Sequence, residues 1–283
     1  MSLLSNYKIN ALGIFSQDRP VHHREDEYDE IGFKVLLDMQ HKHFWYRGRH
    51  RFLLKSVKRY IPEVDQSRLA IDLGGGVGGW VTYLSKHSPK LFSTLALADS
   101  SMVALKLADS LLPRAIQRYQ IDLMQLNMQE AWDAAFLLDV IEHIPDDLKV
   151  IQEASNSLKP GGYLFVTAPA FPQFWSYNDE MAKHLRRYRK SDFTKLACES
   201  GLTLCDARYF MFYLSPLYLL SRVRFGFSSM SLAQKKELIA KQHQVPFAPI
   251  NNLLSSIFEA ESPLGHWLQF PWGTSILGVF KKA

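Results

Sequence analysis

Short apolar runs alternate with helix-like stretches from Ser67 onward, and this alternation sets the first expectation for the fold. Runs at Leu69–Leu73, Leu91–Ala98, Gln117–Leu123, Ala134–Val140 and Gly162–Ala168 read as buried strands, each of about 5–8 residues. The intervening stretches carry apolar residues at helical spacing, which is the pattern of a parallel sheet with helices on its faces. Lys159-Pro-Gly-Gly162 ends the helix that starts near Pro145, because proline cannot continue a helix and the glycines permit the turn into the next strand. A helix from Ser191 to about Glu199 meets its stop at Gly201, a sixth strand follows over Leu202–Tyr209, and a last one spans Ser275–Phe280.

Two regions stand outside this alternation. From Tyr28 to Tyr60 the spacing of Ile31, Val35, Leu36, Phe44, Trp45, Phe52 and Leu53 predicts amphipathic helices that cap the domain. Between the sixth and last strands lies an insertion. The chain therefore divides into a helical N-terminal lid (1–66), an α/β core (67–209), a helical insertion serving as a substrate cap (210–268) and the final strand of the core (269–283).

Composition narrows the picture. A chain of 283 residues with 47% hydrophobic content can bury a sizeable core. No apolar run reaches the length of a membrane span and no basic segment precedes an apolar signal core, so a soluble, cytoplasmic protein is expected. The two cysteines, Cys198 and Cys205, have no spaced partners and are expected to be buried thiols. The formal charge of +5 is scattered, apart from the cluster Lys183–Lys190. Four histidines, His22, His23, His41 and His43, fall near one another, but no acid or cysteine recurs at ligand spacing, so no metal is expected.

The chemistry begins at Ile71-Asp-Leu-Gly-Gly-Gly-Val-Gly-Gly-Trp80. Glycines between a strand end and a helix start let the backbone approach a ligand and present amide hydrogens to it. Gly74, Gly76 and Gly79 satisfy a dinucleotide spacing, whereas Asp72, Gly74, Gly76 and Gly78 satisfy an acid-first spacing. The loop alone does not separate the two.

Three further stretches do. Leu95-Ala-Leu-Ala-Asp99-Ser-Ser ends a strand with an acid; Leu137-Leu-Asp-Val-Ile-Glu-His-Ile-Pro145 follows the fourth strand; Leu158-Lys-Pro-Gly-Gly-Tyr-Leu-Phe-Val-Thr167 leads into the fifth. Together with the glycine stretch, over about residues 67 to 170, they resemble the class I S-adenosylmethionine-dependent methyltransferases, in a bacterial small-molecule subgroup similar to the type 11/12 and ubiquinone-biosynthesis enzymes. The resemblance implies a Rossmann-like, doubly wound, seven-stranded sheet with an antiparallel last strand, and S-adenosyl-L-methionine as cofactor. It places Asp72, Gly74, Gly76 and Gly78 around the methionine part and Asp99, with Ser100 beside it, at the ribose hydroxyls. Asp122 and Leu123 meet the adenine, while Asp139 and His143 flank the methionine end. Glu142 is read as structural, as half of a buried Glu–His pair holding the loop.

Methyl transfer from a sulfonium is an in-line displacement, so the protein must align a nucleophile, exclude water and, for a hydroxyl, remove a proton. The stretch Phe174–Tyr188 lies at the carboxyl edge of the sheet, where open α/β sheets bind ligands. In it an aspartate precedes a His-Leu-Arg-Arg-Tyr run resembling the same subgroup. His184 is the first candidate for a general base, with Asp179 orienting it, and His143 completes the candidate catalytic group. Asp179 could instead bind substrate, and His184 and Arg186 could merely stitch the loop to the lid by hydrogen bonds. Arg186 and Arg187 could instead bind a substrate phosphate or carboxylate. In His41–Arg51, also resembling the subgroup, Phe44 and Trp45 could shield the sulfonium and Arg47 or Arg49 could pair with the cofactor carboxylate.

The expected function is methyl transfer to a small or lipid-linked acceptor, at oxygen as first choice. The chain lacks the Asn-Pro-Pro-aromatic and Pro-Cys segments of DNA methyltransferases, which demotes DNA as a partner. The apolar stretch Tyr209–Leu220, followed by Arg222 and Arg224, could rest on a membrane or line a lipid pocket, or simply pack in the fold. Rival readings are a catalytically inactive cofactor-binding regulatory protein and an RNA methyltransferase, which would rest on the Lys183–Lys190 cluster. Oligomeric state and acceptor identity are left open.

Overall fold

A nine-stranded mixed sheet organises the computed structural model, which describes residues 6–21, 23, 30–63, 67–222, 231, 234 and 244–283. In chain order the strands are β1 Tyr7–Ile9, β2 Phe15–Gln17, β3 Leu69–Leu73, β4 Thr94–Asp99, β5 Gln117–Gln120, β6 Trp132–Leu138, β7 Leu158–Pro169, β8 Thr203–Phe210 and β9 Ser275–Lys281. Their spatial order is β1-β2-β5-β4-β3-β6-β7-β9-β8. Strands β3 to β7 run parallel, and β9 lies antiparallel between β7 and β8. The seven strands read from the apolar runs are all present, and the chain reverses across β3, where helices must change face.

Two additions lie in the N-terminal segment. Expected as wholly helical, it opens with the antiparallel β1–β2 hairpin, which joins the sheet edge through Phe15 opposite Tyr119 of β5. The rings of Phe15 and Tyr119 stack at 4.6 Å, and Tyr7 meets Tyr119 edge-on at 5.5 Å. Helices α1 Glu30–Lys42 and α2 Phe44–Tyr60 follow, as the spacing predicts. Helix α2 starts cleanly after α1 because His43 caps it, its ring nitrogen accepting from the Trp45 amide at 3.2 Å.

The remaining helices are α3 Gly79–His87, α4 Met102–Ala108, α5 Asp147–Ser157, α6 Tyr177–Met181, α7 Lys190–Ser200, α8 Ser215–Arg222 and α9 Ala248–Trp267. On one face of the sheet α5 and α7 bury Val150, Ile151, Phe193 and Leu196 against Ile71, Leu137 and Leu164. On the other, α2, α3 and α9 bury Phe52, Leu53, Trp80 and Phe258 against Phe136, Phe165 and Leu277. Strands covered on both faces read as unbroken apolar runs, which is why β4 and β6 are so Ala- and Leu-rich. α9 approaches α2 closely because residue 48 is glycine: a Cβ there would sit 2.0 Å from the Phe258 ring. Asn251 of α9 ties down the α1–α2 junction, accepting from the Phe44 amide and donating to the Lys42 carbonyl, both at 2.8 Å.

Some expectations are corrected. Cys198 and Cys205 are exposed rather than buried. Cys198 lies on the solvent side of α7, whose buried face is Phe193, Leu196 and Ala197, and Cys205 sits where the edge strand β8 slips register between Leu204 and Asp206. The stretch Tyr209–Leu220 splits: Phe210, Met211 and Leu214 enter the core, while Leu217 and Leu220 of α8 stay exposed. Tyr28, His22 and Arg224 lie outside the described residues. No helix among the described residues is long and apolar enough to cross a membrane.

Candidate active site

The carboxyl ends of β3, β4, β6 and β7 gather the sequence-predicted residues at one edge of the sheet. The loop after β3 turns through Gly74, Gly76 and Gly78, with φ of 75°, 58° and 79°, a region that costs a side chain about 1–2 kcal/mol. The amides of Gly74 and Gly75 donate to the Ala98 carbonyl at 2.8 and 3.1 Å, pinning the loop to β4. Gly76 donates to Asp99 Oδ2 at 2.8 Å, while Asp99 Oδ1 accepts from the Ser101 amide at 2.9 Å. The ribose candidate Asp99 is thus itself a brace for the glycine loop.

Asp72 is buried at the end of β3, and its Oδ1 has no hydrogen-bond partner. Burial, with Asp99 nearby, pushes its carboxyl up to about 7, against the pull of Arg49. A Cβ on Gly75 would come 2.4 Å from Asp72 Oδ2, so residue 75 is glycine because the acid lies beneath it.

Asp139 follows β6 with a φ of 58°. Such left-handed non-glycine residues are held by their surroundings, and here the amide of Asp139 donates to the Thr167 carbonyl at 2.9 Å while Thr167 Oγ1 donates to its Oδ1 at 3.2 Å. The other carboxylate oxygen pairs with Arg49 Nη1 from α2. Arg49 is buried, sits 4.8 Å from the Trp45 ring centroid and 5.2 Å from that of Tyr46, and keeps an unpartnered Nε. Arg49 thus links Trp45 of α2 to Asp139 at the end of β6.

At the other end, Leu123 lies against Gly74, within 3.6 Å of a Cβ placed there. Asp122 is exposed and its Oδ1 accepts from the Met124 amide at 2.8 Å in a local turn. Two contributors escaped the sequence reading. His23 Nδ1 contacts Ser100 Oγ at 2.8 Å, and Phe33 of α1 approaches Gly76, 3.4 Å from a Cβ there. No local pattern marks them, since both arrive from the N-terminal segment.

The segment after β7 holds the candidate base. Asp179 caps α6, accepting from the Ser176 amide at 2.7 Å and its hydroxyl at 3.1 Å. His184 Nδ1 lies 2.9 Å from Asp179 Oδ1, and Arg187 Nε and Nη2 donate to the two carboxylate oxygens at 2.8 and 2.9 Å. Burial alone would raise the Asp179 carboxyl, but the hydrogen bonds and charge of His184 and Arg187 outweigh it and hold the group at about 2.

The His143 and His184 rings meet edge-on at 4.8 Å. Burial, then His184, pushes His143 down to about 3, so its imidazole is neutral. Glu142 is fully buried and neither carboxylate oxygen has a hydrogen-bond partner, so the expected Glu–His pair is not made. Burial and the neighbouring Asp139 raise its carboxyl well above the ordinary value. Glu142, His143 and His184 bring one donor atom each within 4.8 Å of the others, the donor set among the described residues that could hold a metal ion.

The basic cluster is largely engaged by neighbouring groups, Arg187 in the interior and Arg189 and Lys190 at the surface. Arg187 also donates to the Ala170 carbonyl at 3.0 Å, Arg186 pairs with Asp147 at 2.9 Å, Arg189 reaches Gln173 at 2.9 Å and Lys190 reaches Gln269 at 3.0 Å. Adjacent cations so engaged do not form a free stripe for a phosphate backbone.

A methyltransferase-domain family model matches residues 44–207. No curated protein matches the chain. Solved structures share the fold at low identity. A putative sarcosine dimethylglycine methyltransferase from Galdieria sulphuraria is 19% identical, with a TM-score of 0.55 over 83% of this chain and 85% of that one. Phosphoethanolamine N-methyltransferase 2 of Haemonchus contortus, in complex with phosphomonomethylethanolamine and S-adenosylhomocysteine, is 16% identical with a TM-score of 0.56, covering 89% of this chain and 57% of that one. The [4+2]-cyclase SpnF is 17% identical with a TM-score of 0.56 over 89% and 93%, so the fold by itself does not fix the reaction. What the glycine loop requires is nonetheless present: three left-handed glycines, an acid braced at the end of β4 and a buried arginine with a free Nε. With the family match spanning more than half of its length, the chain belongs to the methyltransferase-domain family and takes S-adenosylmethionine as its cofactor.

Proposed function

We infer that the chain moves a methyl group to an oxygen of a small or lipid-linked acceptor, with His184 taking the acceptor proton. The observation that carries this reading is the 2.9 Å contact between His184 Nδ1 and Asp179 Oδ1. The ionised carboxylate is an acceptor only, so in a neutral His184 ring the proton sits on Nδ1 and Nε2 is the nitrogen that can take one. Arg187 fixes the carboxylate, and the carboxylate fixes the ring. His143, neutral and edge-on to His184, adds no competing charge.

S-adenosylmethionine, when bound, supplies an electrophilic methyl group on a sulfonium. The chain's own residues do the rest. Asp99 offers its carboxylate to the ribose hydroxyls, the loop of Gly74, Gly76 and Gly78 accommodates close backbone approach, and Leu123 offers an apolar contact beside the loop. Asp72 stands under the loop, Ser100 and Asp122 border the adenosine end, and Asp139 with Arg49 and Trp45 borders the methionine end. The Trp45 ring already carries the Arg49 guanidinium over it, which holds that arginine beside Asp139.

The test measures S-adenosylhomocysteine formation from cell extracts separated into lipid and water-soluble pools. His184→Asn should lower turnover by about 100-fold or more with cofactor affinity unchanged. Equal turnover in the variant would remove the base role. Product from neither pool, with intact cofactor binding, would favour a non-catalytic binding protein instead.

A further inference from the structure

A cleft of about 290 Å³ opens between α2 and α3, beside the end of α1 and away from the residues assigned above to methyl transfer. Its wall carries Arg47 and Arg51 from successive turns of α2, Lys86 and His87 from the last turn of α3, and His41 from α1. Among the described residues no acidic side chain lines it. Among the described residues, the acid that pairs with these cations is Glu259 of α9, which meets Arg51 at 2.9 Å from a half-exposed position.

Like charges on adjacent turns of a helix repel one another, and a concave cationic wall concentrates the field. The field is felt locally. Burial, then Lys86 and Lys42, pushes His41 down, and the buried His50 behind it is lowered by burial, then by Arg49, His41 and His87. α9 holds the two guanidiniums in place. Arg47 Nη1 donates to Asn252 Oδ1 at 3.0 Å and Arg51 Nη1 to Ser255 Oγ at 3.2 Å, so little ordering is left for a ligand to impose. Gln40 also borders the cleft, with its Oε1 turned against Gly79 at the start of α3.

We propose that this cleft is an anion site for the phosphate group of a ligand. Two pre-oriented guanidiniums and one ammonium suit a dianionic or monoanionic phosphate, with Arg supplying directed hydrogen bonds and Lys a point charge. The volume exceeds one phosphate and accommodates what the phosphate is attached to. That attachment is either a soluble ester or a phospholipid headgroup. The second source draws on α9, which presents Leu253, 60% exposed, and Trp267, 81% exposed, to solvent. The proposal does not rest on the methyl-transfer reading: of the two arginines weighed for the cofactor carboxylate, Arg47 turns to Asn252 and this cleft while Arg49 pairs with Asp139, and the readout is binding.

Full-length protein is titrated calorimetrically with inorganic phosphate at low ionic strength, and sedimented with phosphatidylcholine vesicles with and without phosphatidylglycerol. Arg51→Gln combined with Lys86→Gln should weaken phosphate binding by about tenfold or more, while Lys195→Gln on the exposed side of α7 should not. If the double variant melts early, Arg47→Gln alone carries the same expectation. Phosphate binding without vesicle binding identifies a soluble ester; vesicle binding displaced by free phosphate identifies a headgroup. Absence of both, or binding that persists unchanged in a well-folded double variant, overturns the proposal.

Discussion

Arg187 and Asp179 form a two-pronged ion pair, Nε to Oδ1 at 2.8 Å and Nη2 to Oδ2 at 2.9 Å, with both side chains sealed from solvent. Removing one partner strands the other charge in the interior. Asp179→Ala should therefore cost about 3–5 kcal/mol of stability, read as a fall in denaturation midpoint. Arg187→Lys keeps a charge but not the fork, and should lose less stability while releasing the His184 ring. An Asp179→Ala protein as stable as the parent would show that the pair is not the anchor of this segment.

The same pair predicts an acid response. Its carboxyl is held at about 2, below the ordinary 3.8, so the native state favours the ionised form. That stability is fully present above about pH 4 and is lost as pH falls from there through about 2. Its size is on the order of 2 kcal/mol. Urea unfolding of parent and Asp179→Asn across pH 2 to 5, with roughly unit steps, should show the parent's extra slope disappear in the variant.

Asp99 braces the glycine loop, its two oxygens accepting from the amides of Gly76 and Ser101, and in the proposed reading it also meets the ribose. Asp99→Ala should weaken S-adenosylmethionine and S-adenosylhomocysteine by about tenfold or more in calorimetric titration, with NAD binding to neither protein. Undiminished affinity would dissociate this acid from the ligand.

Neighbouring glycines should separate stability from binding. At Gly75 a new Cβ meets Asp72 at 2.4 Å and Leu97 at 2.6 Å, so Gly75→Ala overpacks the interior at a cost of about 1–3 kcal/mol. At Gly76 the nearest atom is Phe33 at 3.4 Å, and the penalty is the left-handed φ of 58°, about 1–2 kcal/mol. Gly75→Ala should lose more melting temperature, whereas Gly76→Ala should lose more cofactor affinity, because strain at its φ of 58° disturbs the amide that donates to Asp99. The reverse order in both assays would mean the loop relaxes around residue 75.

These contrasts also show what the sequence makes legible. Strands such as β3 and β6 are buried on both faces, so Leu69–Leu73 and Trp132–Leu138 stand out as apolar runs, and Gly201 ends α7 in the left-handed conformation its position suggests. β1 and β2 do not stand out. Each is three residues long, Ile9 is 65% exposed, and their pairing depends on aromatic contacts with Tyr119 more than a hundred residues away. In the site, motif residues such as Asp99 were readable because strand ends fix them. His23 and Phe33 were not, because tertiary packing alone brings them to the loop. The cysteines were misread for a related reason: composition favours buried thiols, but the helix face of Cys198 and the edge position of Cys205 decide.

Asp72 supplies a pH signature of opposite sign to that of Asp179. Its carboxyl is lifted to about 7 by burial, so the native state favours the protonated form and the unfolded chain, with an ordinary value of 3.8, does not. Between these values the unfolded state binds fewer protons, and stability falls as pH rises from about 4 to about 7, then levels off. About three pH units at roughly 1.4 kcal/mol each gives a loss on the order of 4 kcal/mol. Asp72→Asn carries no such ionisation and should flatten the slope, making the variant relatively more stable at pH 7.5 than at pH 5, at roughly constant ionic strength. The unpartnered Oδ1 gives the amide no hydrogen bond to lose at that atom. Chemical denaturation at the two pH values decides the matter: parallel behaviour of parent and variant would mean that Asp72 is ionised in the folded protein, stabilised by Arg49 beyond what burial removes.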